Sequence, residues 1–312
     1  MVNQLKNLVT EFLEHLEIEK GRSQLTIRNY DFYLKQFLNF SKINSLAEIT
    51  PDLIRQYRLW LSRQKDHQNQ PLSKTTQNYY LIALRSFLKY LAKRDIKTLA
   101  PEKIELAKTE KRQIFFLEPD ELEKFLAAPL SVKQPEEIKM RDKAILELLF
   151  STGLRVSELT NLKKEDINLN KDEFTVKGKG GKWRIVFLSK TAKDWLKKYL
   201  ESRTDLDPAL FIRYDKGQKQ ALKKKSSNQL TPRSIQRLVR KYAKITGVTK
   251  KITTHSLRHT FATDLLASGA DLRAVQELLG HKSITTTQIY THITNQHLKE
   301  VYQAFHARRR KK

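Results

Sequence analysis

The 312-residue chain contains no cysteine. That excludes disulfides, cysteine-ligated zinc, iron–sulfur clusters and thiol catalysis. The chain is also short of acid: 34 Asp and Glu stand against 60 Lys and Arg, a formal net charge of +26. An excess that large points to a polyanionic partner, nucleic acid or an anionic membrane, rather than to a small-molecule substrate. Lysine-rich codon usage in an AT-rich genome would raise the same count without a partner. Long apolar runs are missing too, none approaching the ~18 residues of a membrane span. The opening MVNQLKNLVTEFLEHLEIEK lacks the apolar stretch of a secretion signal and places acids inside a helical pattern. These absences favour nucleic acid over membrane, and with them the expectation of a cytoplasmic, nucleoid-associated protein. The 39% of hydrophobic residues can build packed cores, and the length suits two domains.

Strand signals are almost absent. The first ~100 residues carry helical periodicity alone. Leu5, Leu8, Phe12 and Leu16 mark one apolar face, and Tyr30, Leu34, Phe37 and Leu38 a second, after Ser23 and Thr26 as candidate caps. Thr50-Pro51 is a cap followed by proline at the first helical position, opening a helix with Leu53, Ile54, Tyr57, Trp60 and Leu61. A polar stretch, residues 62–71, interrupts the pattern. A fourth helix buries Leu81, Leu84, Leu88 and Leu91 and is expected to turn Lys74, Thr75, Thr76, Asn78, Arg85 and Lys89 to solvent as candidate DNA contacts. Residues 1–96 thus form a helical domain. The charged segment 97–114 reads as a linker.

The second domain spans 115–312. Pro119-Asp120-Glu121-Leu122 opens a helix, and a buried helix through Ala144–Phe150 is capped by Gly153. Phe174–Val176 and Ile185–Phe187 flank Gly178-Lys179-Gly180-Gly181, the one clear hairpin. Everything after about residue 190 reads as helical, apart from a Lys-rich loop at 215–228. The basic tail 308–312 carries no chemistry. The fold class expected is mainly α with a small antiparallel β-hairpin.

Chemistry concentrates near the C-terminus: Thr254-His255-Ser256-Leu257-Arg258-His259, then Leu279-Gly280-His281, then Tyr290. Upstream lie Thr152-Gly153-Leu154-Arg155 and Lys179. A phosphodiester under attack gains charge on its non-bridging oxygens, and a site without metal must meet it with fixed cations. Arginine suits this, because its planar fork bonds two oxygens and does not titrate. His255 and Arg258, three apart, share a helix face. A lone arginine of this kind is more often a surface ion-pair residue. Lys179, at a glycine-rich tip, can reach a leaving oxygen as a general acid, with Lys177 and Lys182 beside it as DNA contacts. A phosphate-cradling P-loop is excluded, since Gly-Lys is followed by Gly180 rather than Ser or Thr. His255 and His259 have the i, i+4 spacing of zinc ligands, but Ser256 stands where that motif needs Glu, so no metal is expected. His281 is alternatively a simple capping residue. Tyr290 is one of eleven tyrosines, uninformative alone.

Together, the order Arg155, Lys179, His255, Arg258, His281, Tyr290 resembles the tyrosine recombinases of the phage-integrase family, as do the contexts TGLRVSEL, GKGGK, HSLRHTFAT and LLGHKSITTTQIYTH. Within it the likeness is greatest to the Xer group. The resemblance implies a helical core-binding domain in residues 1–96 and a catalytic domain after the linker. It implies Glu158 as the acid supporting the first arginine, and Tyr290 as nucleophile. It implies site-specific recombination through a 3′-phosphotyrosine and a Holliday junction, by a tetramer of like or unlike protomers on duplex DNA with an inverted repeat, without cofactor. A last helix bearing Leu298, Val301, Tyr302 and Phe305 is expected to dock on a neighbouring protomer. A type IB topoisomerase and a silent DNA-binding protein are the rival readings.

Overall fold

Capping chemistry sets the helix starts of the N-terminal unit. Ser23 Oγ accepts the Thr26 N–H, Thr50 Oγ1 accepts the Leu53 N–H at 3.2 Å ahead of Pro51, and Ser73 Oγ accepts the Thr76 N–H at 3.2 Å. The computed structural model describes residues 2–66, 68–109, 115–178, 180–214 and 228–280. The chain divides into two compact units, Met1–Arg112 and Gln113–Lys312. The first holds α1 (Val2–Ile18), α2 (Gln24–Ser41), α3 (Pro51–Arg63) and α4 (Lys74–Ala92). Their apolar stripes close one core, in which Phe12, Phe37, Tyr57, Leu61, Leu84, Leu88 and Leu91 are almost fully buried. Aromatic edges lock it: the Phe12 and Phe87 ring centroids lie 5.5 Å apart, and Phe37 and Tyr57 5.0 Å.

Two expectations are corrected in this unit. Asn78 does not face solvent. It is buried, its amide nitrogen donating to the Ala107 carbonyl (2.9 Å) while its oxygen accepts the Ala107 N–H (3.0 Å). The side chain therefore acts as a strand-like partner for backbone 29 residues away. For the same reason the described part of segment 97–114 is no free tether. Ile104 is buried in the N-terminal core, and the short 3₁₀ turn before it, Pro101–Lys103, packs on α4. The other candidate contacts on α4 remain accessible: Lys74, Thr75 and Lys89 are exposed, while Thr76 and Arg85 are half-buried.

The second unit contains α5 (Pro119–Ser131), α6 (Glu136–Thr152), α7 (Val156–Thr160), β1 (Glu173–Lys177), β2 (Trp183–Phe187), α8 (Lys190–Glu201), α9 (Pro232–Ile245), α10 (Thr254–Ala267) and α11 (Leu272–Leu279). In α6, Ala144, Ile145, Leu146 and Leu148 are all fully buried, so the helix is covered on several sides. It is the axis against which α5, α8 and α10 pack. The antiparallel hairpin pairs Phe174 with Val186 and Val176 with Arg184. Alternation turns Phe174, Val176 and Val186 inward. The wholly helical reading beyond 190 fails at 203–214. There the Arg203 guanidinium gathers the carbonyls of Asp207, Ala209 and Leu210 into an irregular turn, and isolated bridges join Lys163 to Ala209 and Ile212 to Gln229. Such a turn has no periodicity to betray it. The Lys-rich loop and the last helix lie outside the described residues.

Because Asn78 bonds both backbone polar groups of Ala107, Asn78→Ala removes two hydrogen bonds at once. It should cost about 1–3 kcal/mol, read as a lower urea midpoint, with hydrogen exchange accelerated at 100–109. Unchanged exchange in that segment would show that the side chain does not hold it.

Candidate active site

The site begins at the end of α6. Gly153 takes a left-handed φ of 57°, and a Cβ there would meet the Phe261 ring at 2.6 Å, so only glycine fits. The turn delivers Arg155 to the N-cap of α7. Glu158 folds back one turn later. Its Oε2 accepts the Arg155 backbone N–H (2.8 Å) and its Oε1 accepts Arg155 Nη1 (2.8 Å). A third donor arrives from β2, where Arg184 Nη2 reaches Glu158 Oε2 at 3.0 Å. Burial works to raise the Glu158 pKa. The Arg155 N–H, the Arg184 charge and the Arg155 side chain outweigh it and hold the carboxyl below the usual range.

The opposite wall is the C-terminus of α11. Val275 and Leu279 pack on Ala262 and Leu266 of α10, which fixes the helix. Its end leaves carbonyls that no helical N–H can meet. Three consecutive ones are taken by three arginines. Leu278 O accepts Arg184 Nε (3.1 Å), Leu279 O accepts Arg258 Nη2, and Gly280 O accepts Arg155 Nη2 (3.2 Å). Arg258 is only 4% exposed and also donates Nη1 to Gly153 O at 2.5 Å, tying the two glycine turns together. Cations at a helix C-terminus are further favoured by its partial negative charge. Gly280 has φ 62°, and a Cβ there would lie 2.8 Å from Arg184 Cδ.

His255 sits one turn before Arg258 with an exposed side chain. His259 is half-buried; burial first, then the proximity of His255 and Arg258, push its pKa down to about 4, so it is neutral at physiological pH. The hairpin root reaches the same carboxylate: a Cβ on Gly178 would stand 3.6 Å from Glu158 Oε1. Gly178 N–H donates to Lys182 O (2.7 Å), and Gly180 and Gly181 adopt positive φ, closing the turn. Lys177 and Lys182 are exposed. The structure therefore brings Arg155, Glu158, Arg258 and the hairpin root together. Lys179, His281 and Tyr290 lie outside the described residues. Among the described residues, no cluster of His, Asp or Glu is arranged to hold a metal ion, and no helix is long and apolar enough to cross a membrane.

Two features were missed in the sequence. Arg184 shares the inward register of β2 with Val186. An arginine at a core-facing strand position demands a buried partner, which was the available signal. The other is α9, whose buried Ile235, Leu238, Val239 and Tyr242 leave Arg233, Arg237, Arg240, Lys241 and Lys244 together on the exposed face.

Comparison with known proteins agrees with this geometry. Residues 116–297 match the phage integrase family, and residues 9–95 match the phage integrase N-terminal SAM-like domain. The chain belongs to the phage integrase family. It is 41% identical to the tyrosine recombinase XerC of Thermodesulfovibrio yellowstonii, over 96% of this chain and 95% of that protein. It is 36% identical to XerC of Bacillus subtilis, over 99% of both, and 36% identical to XerD of Oceanobacillus iheyensis, over 97% and 99%. Among solved structures, XerH bound to its difH substrate before cleavage superposes with a TM-score of 0.67 at 25% identity, covering 95% of this chain and 83% of that one. XerA recombinase gives 0.51 at 32% identity, covering 96% and 98%. This family member is a tyrosine-type, site-specific DNA recombinase of the Xer kind, and its partner is DNA. Its architecture is mainly helical with a two-stranded sheet, as expected.

The Glu158 carboxyl gives the recombinase a pH signature. Its folded pKa is depressed, so the stabilisation is complete above the unfolded value of ~4.3 and is lost as pH falls through the lower folded value. Glu158→Gln should flatten this acid limb in thermal unfolding scans. At neutral pH it should cost about 3 kcal/mol, as expected for breaking a buried ion pair. An acid limb identical to wild type would show that Glu158 is not the titrating group.

Proposed function

We propose that the recombinase cleaves and rejoins duplex DNA through a 3′-phosphotyrosine at Tyr290. One observation carries the reading. The two non-titrating cations Arg155 and Arg258 converge on the consecutive carbonyls Gly280 and Leu279, immediately before His281 in the chain. In the proposed step the Tyr290 oxygen attacks phosphorus as its phenolic proton passes to a neighbouring imidazole, a P–O bond to tyrosine forms, and the bond to the 5′ oxygen breaks. Arg155 and Arg258 neutralise the non-bridging oxygens, His255 and His281 donate to or exchange protons with them, and Lys179 protonates the leaving 5′ oxygen. A 5′ hydroxyl from a partner strand reverses the step, through a Holliday junction. Bond energy is conserved, so the cycle closes without ATP.

The DNA partner carries an inverted repeat, and four protomers, like or unlike, assemble on two copies. Lys74, Thr75, Thr76, Arg85 and Lys89 of α4, and Lys177 and Lys182 of the hairpin, contact it, joined by the cationic face of α9. Phosphate neutralisation on this scale makes binding fall steeply with salt. The reaction takes place in the cytoplasm, on chromosome-dimer junctions or on an integrating element.

The test is incubation with sheared genomic DNA, followed by denaturation in SDS and sequencing of protein-linked fragments. Wild type should yield an adduct at one inverted repeat, and Tyr290→Phe should bind DNA equally yet yield none. An adduct persisting in Tyr290→Phe would remove Tyr290 as nucleophile. With the site known, Lys179→Ala should cleave normal DNA roughly 10²–10⁴-fold slowly, the usual loss for a general acid. A bridging 5′ sulfur, which leaves without a proton, should restore that rate for Lys179→Ala but not for Arg155→Ala. Equal defects of Lys179→Ala on both substrates would reduce it to a phosphate-binding residue.

A further inference from the structure

We propose that Arg184 is a positioning residue for the cleavage step, one that holds Arg155 in the orientation in which it meets the scissile phosphate; this rests on the role proposed for Arg155. The side chain spans two walls of the site. One edge of its guanidinium carries both Nε, bonded to Leu278 O at 3.1 Å, and Nη2, bonded to Glu158 Oε2 at 3.0 Å. Glu158 and the end of α11 are the two groups that fix Arg155, through Oε1 at 2.8 Å and Gly280 O at 3.2 Å. Among the described residues, Arg184 is therefore the side chain besides Arg155 itself that joins the two supports of Arg155 to each other. Without it, nothing described here holds Glu158 Oε2 apart from the Arg155 N–H, and Leu278 O loses its side-chain partner.

Stability alone does not account for an arginine here. Arg155 already balances the single charge of Glu158, and a second guanidinium adds repulsion with the first. Arg184 Nη1 is buried and meets no acceptor among the described residues. A buried donor left unmet and a surplus like charge both cost free energy. What the residue contributes in return is geometry. A planar fork can hold a carboxylate and a carbonyl at a fixed angle, whereas the single ammonium of lysine cannot. Arg184 lies on the strand that leaves the Lys179 hairpin, but the hairpin's own register is set by backbone pairing and by Phe174, Val176 and Val186. Its effect should thus pass through Arg155 rather than Lys179.

That distinction supplies the test. Wild type, Arg184→Gln and Arg184→Lys are compared in single-turnover cleavage of a nicked duplex bearing the genomic site linked to Tyr290. The scissile group is either a normal phosphate or a methylphosphonate, which lacks one non-bridging charge. On the phosphate both variants should cleave roughly 10- to 100-fold slowly, the scale of a misplaced catalytic group, while binding changes less than about twofold, since the contact is internal. On the methylphosphonate, where less charge needs neutralising, the deficit should largely vanish. The ratio between substrates within one variant does not depend on how much of it is folded. An equal deficit on both substrates, or full recovery by Arg184→Lys, would overturn positioning by the fork. Absence of any wild-type adduct would instead overturn the proposed function, and this inference with it.

Discussion

The capture of three consecutive helix-terminal carbonyls by three guanidinium groups is the interaction on which this catalytic unit depends. Helix ends expose carbonyls that must be satisfied from elsewhere. Here the donors come from three separate elements: Arg155 before α7, Arg184 on β2 and Arg258 on α10. Hydrogen bonds to charged groups contribute about 1.5–3 kcal/mol each when sheltered. Exposed pairs such as Lys35–Asp31 or Arg55–Asp52 are screened by solvent and contribute little. These three are different, because their positions are fixed by partners inside the protein.

A single carboxylate organises that cluster. Glu158 accepts from Arg155 twice and from Arg184 once, and the root of the hairpin lies against it at Gly178. A second acid would hold the arginines more firmly, but it would also cancel their positive field. With one, the group of Arg155, Arg184, Arg258 and Glu158 keeps a net positive charge while each guanidinium retains a defined direction. Preorganised charge of this kind needs no rearrangement as the transition state forms.

Much of this was legible in the sequence, for physical reasons that differ by element. Helices of the N-terminal unit announced themselves through apolar spacing and through Thr50-Pro51, whose cap and proline act locally. Gly153 and the Gly178–Gly181 turn were visible because positive φ restricts residue type. Asn78 was misplaced because polarity was taken for exposure. It lies three residues before Leu81, on the edge of the buried face, and its partner is backbone at Ala107 that no pattern encodes. The irregular turn at 203–214 escaped for a related reason: side-chain-to-carbonyl bonds from Arg203 build it, and these leave no periodic trace. In the site, motif order pointed to Arg155 and Arg258 but not to Arg184, whose role arises only from the pairing that places it opposite Val176.

Gly280 shows how tightly these constraints are joined. It must be glycine twice over, once for its left-handed cap conformation and once for the close approach of Arg184. Its carbonyl holds Arg155, and the next residue in the chain is His281. Any sliding of α11 would disturb the contacts of Arg155, Arg184 and Arg258 at once. The three cations are therefore not independent parts brought near one another. They are referenced to the same helix end, so the site is built as a unit, and its geometry is as stiff as the packing of Val275 and Leu279 on Ala262 and Leu266.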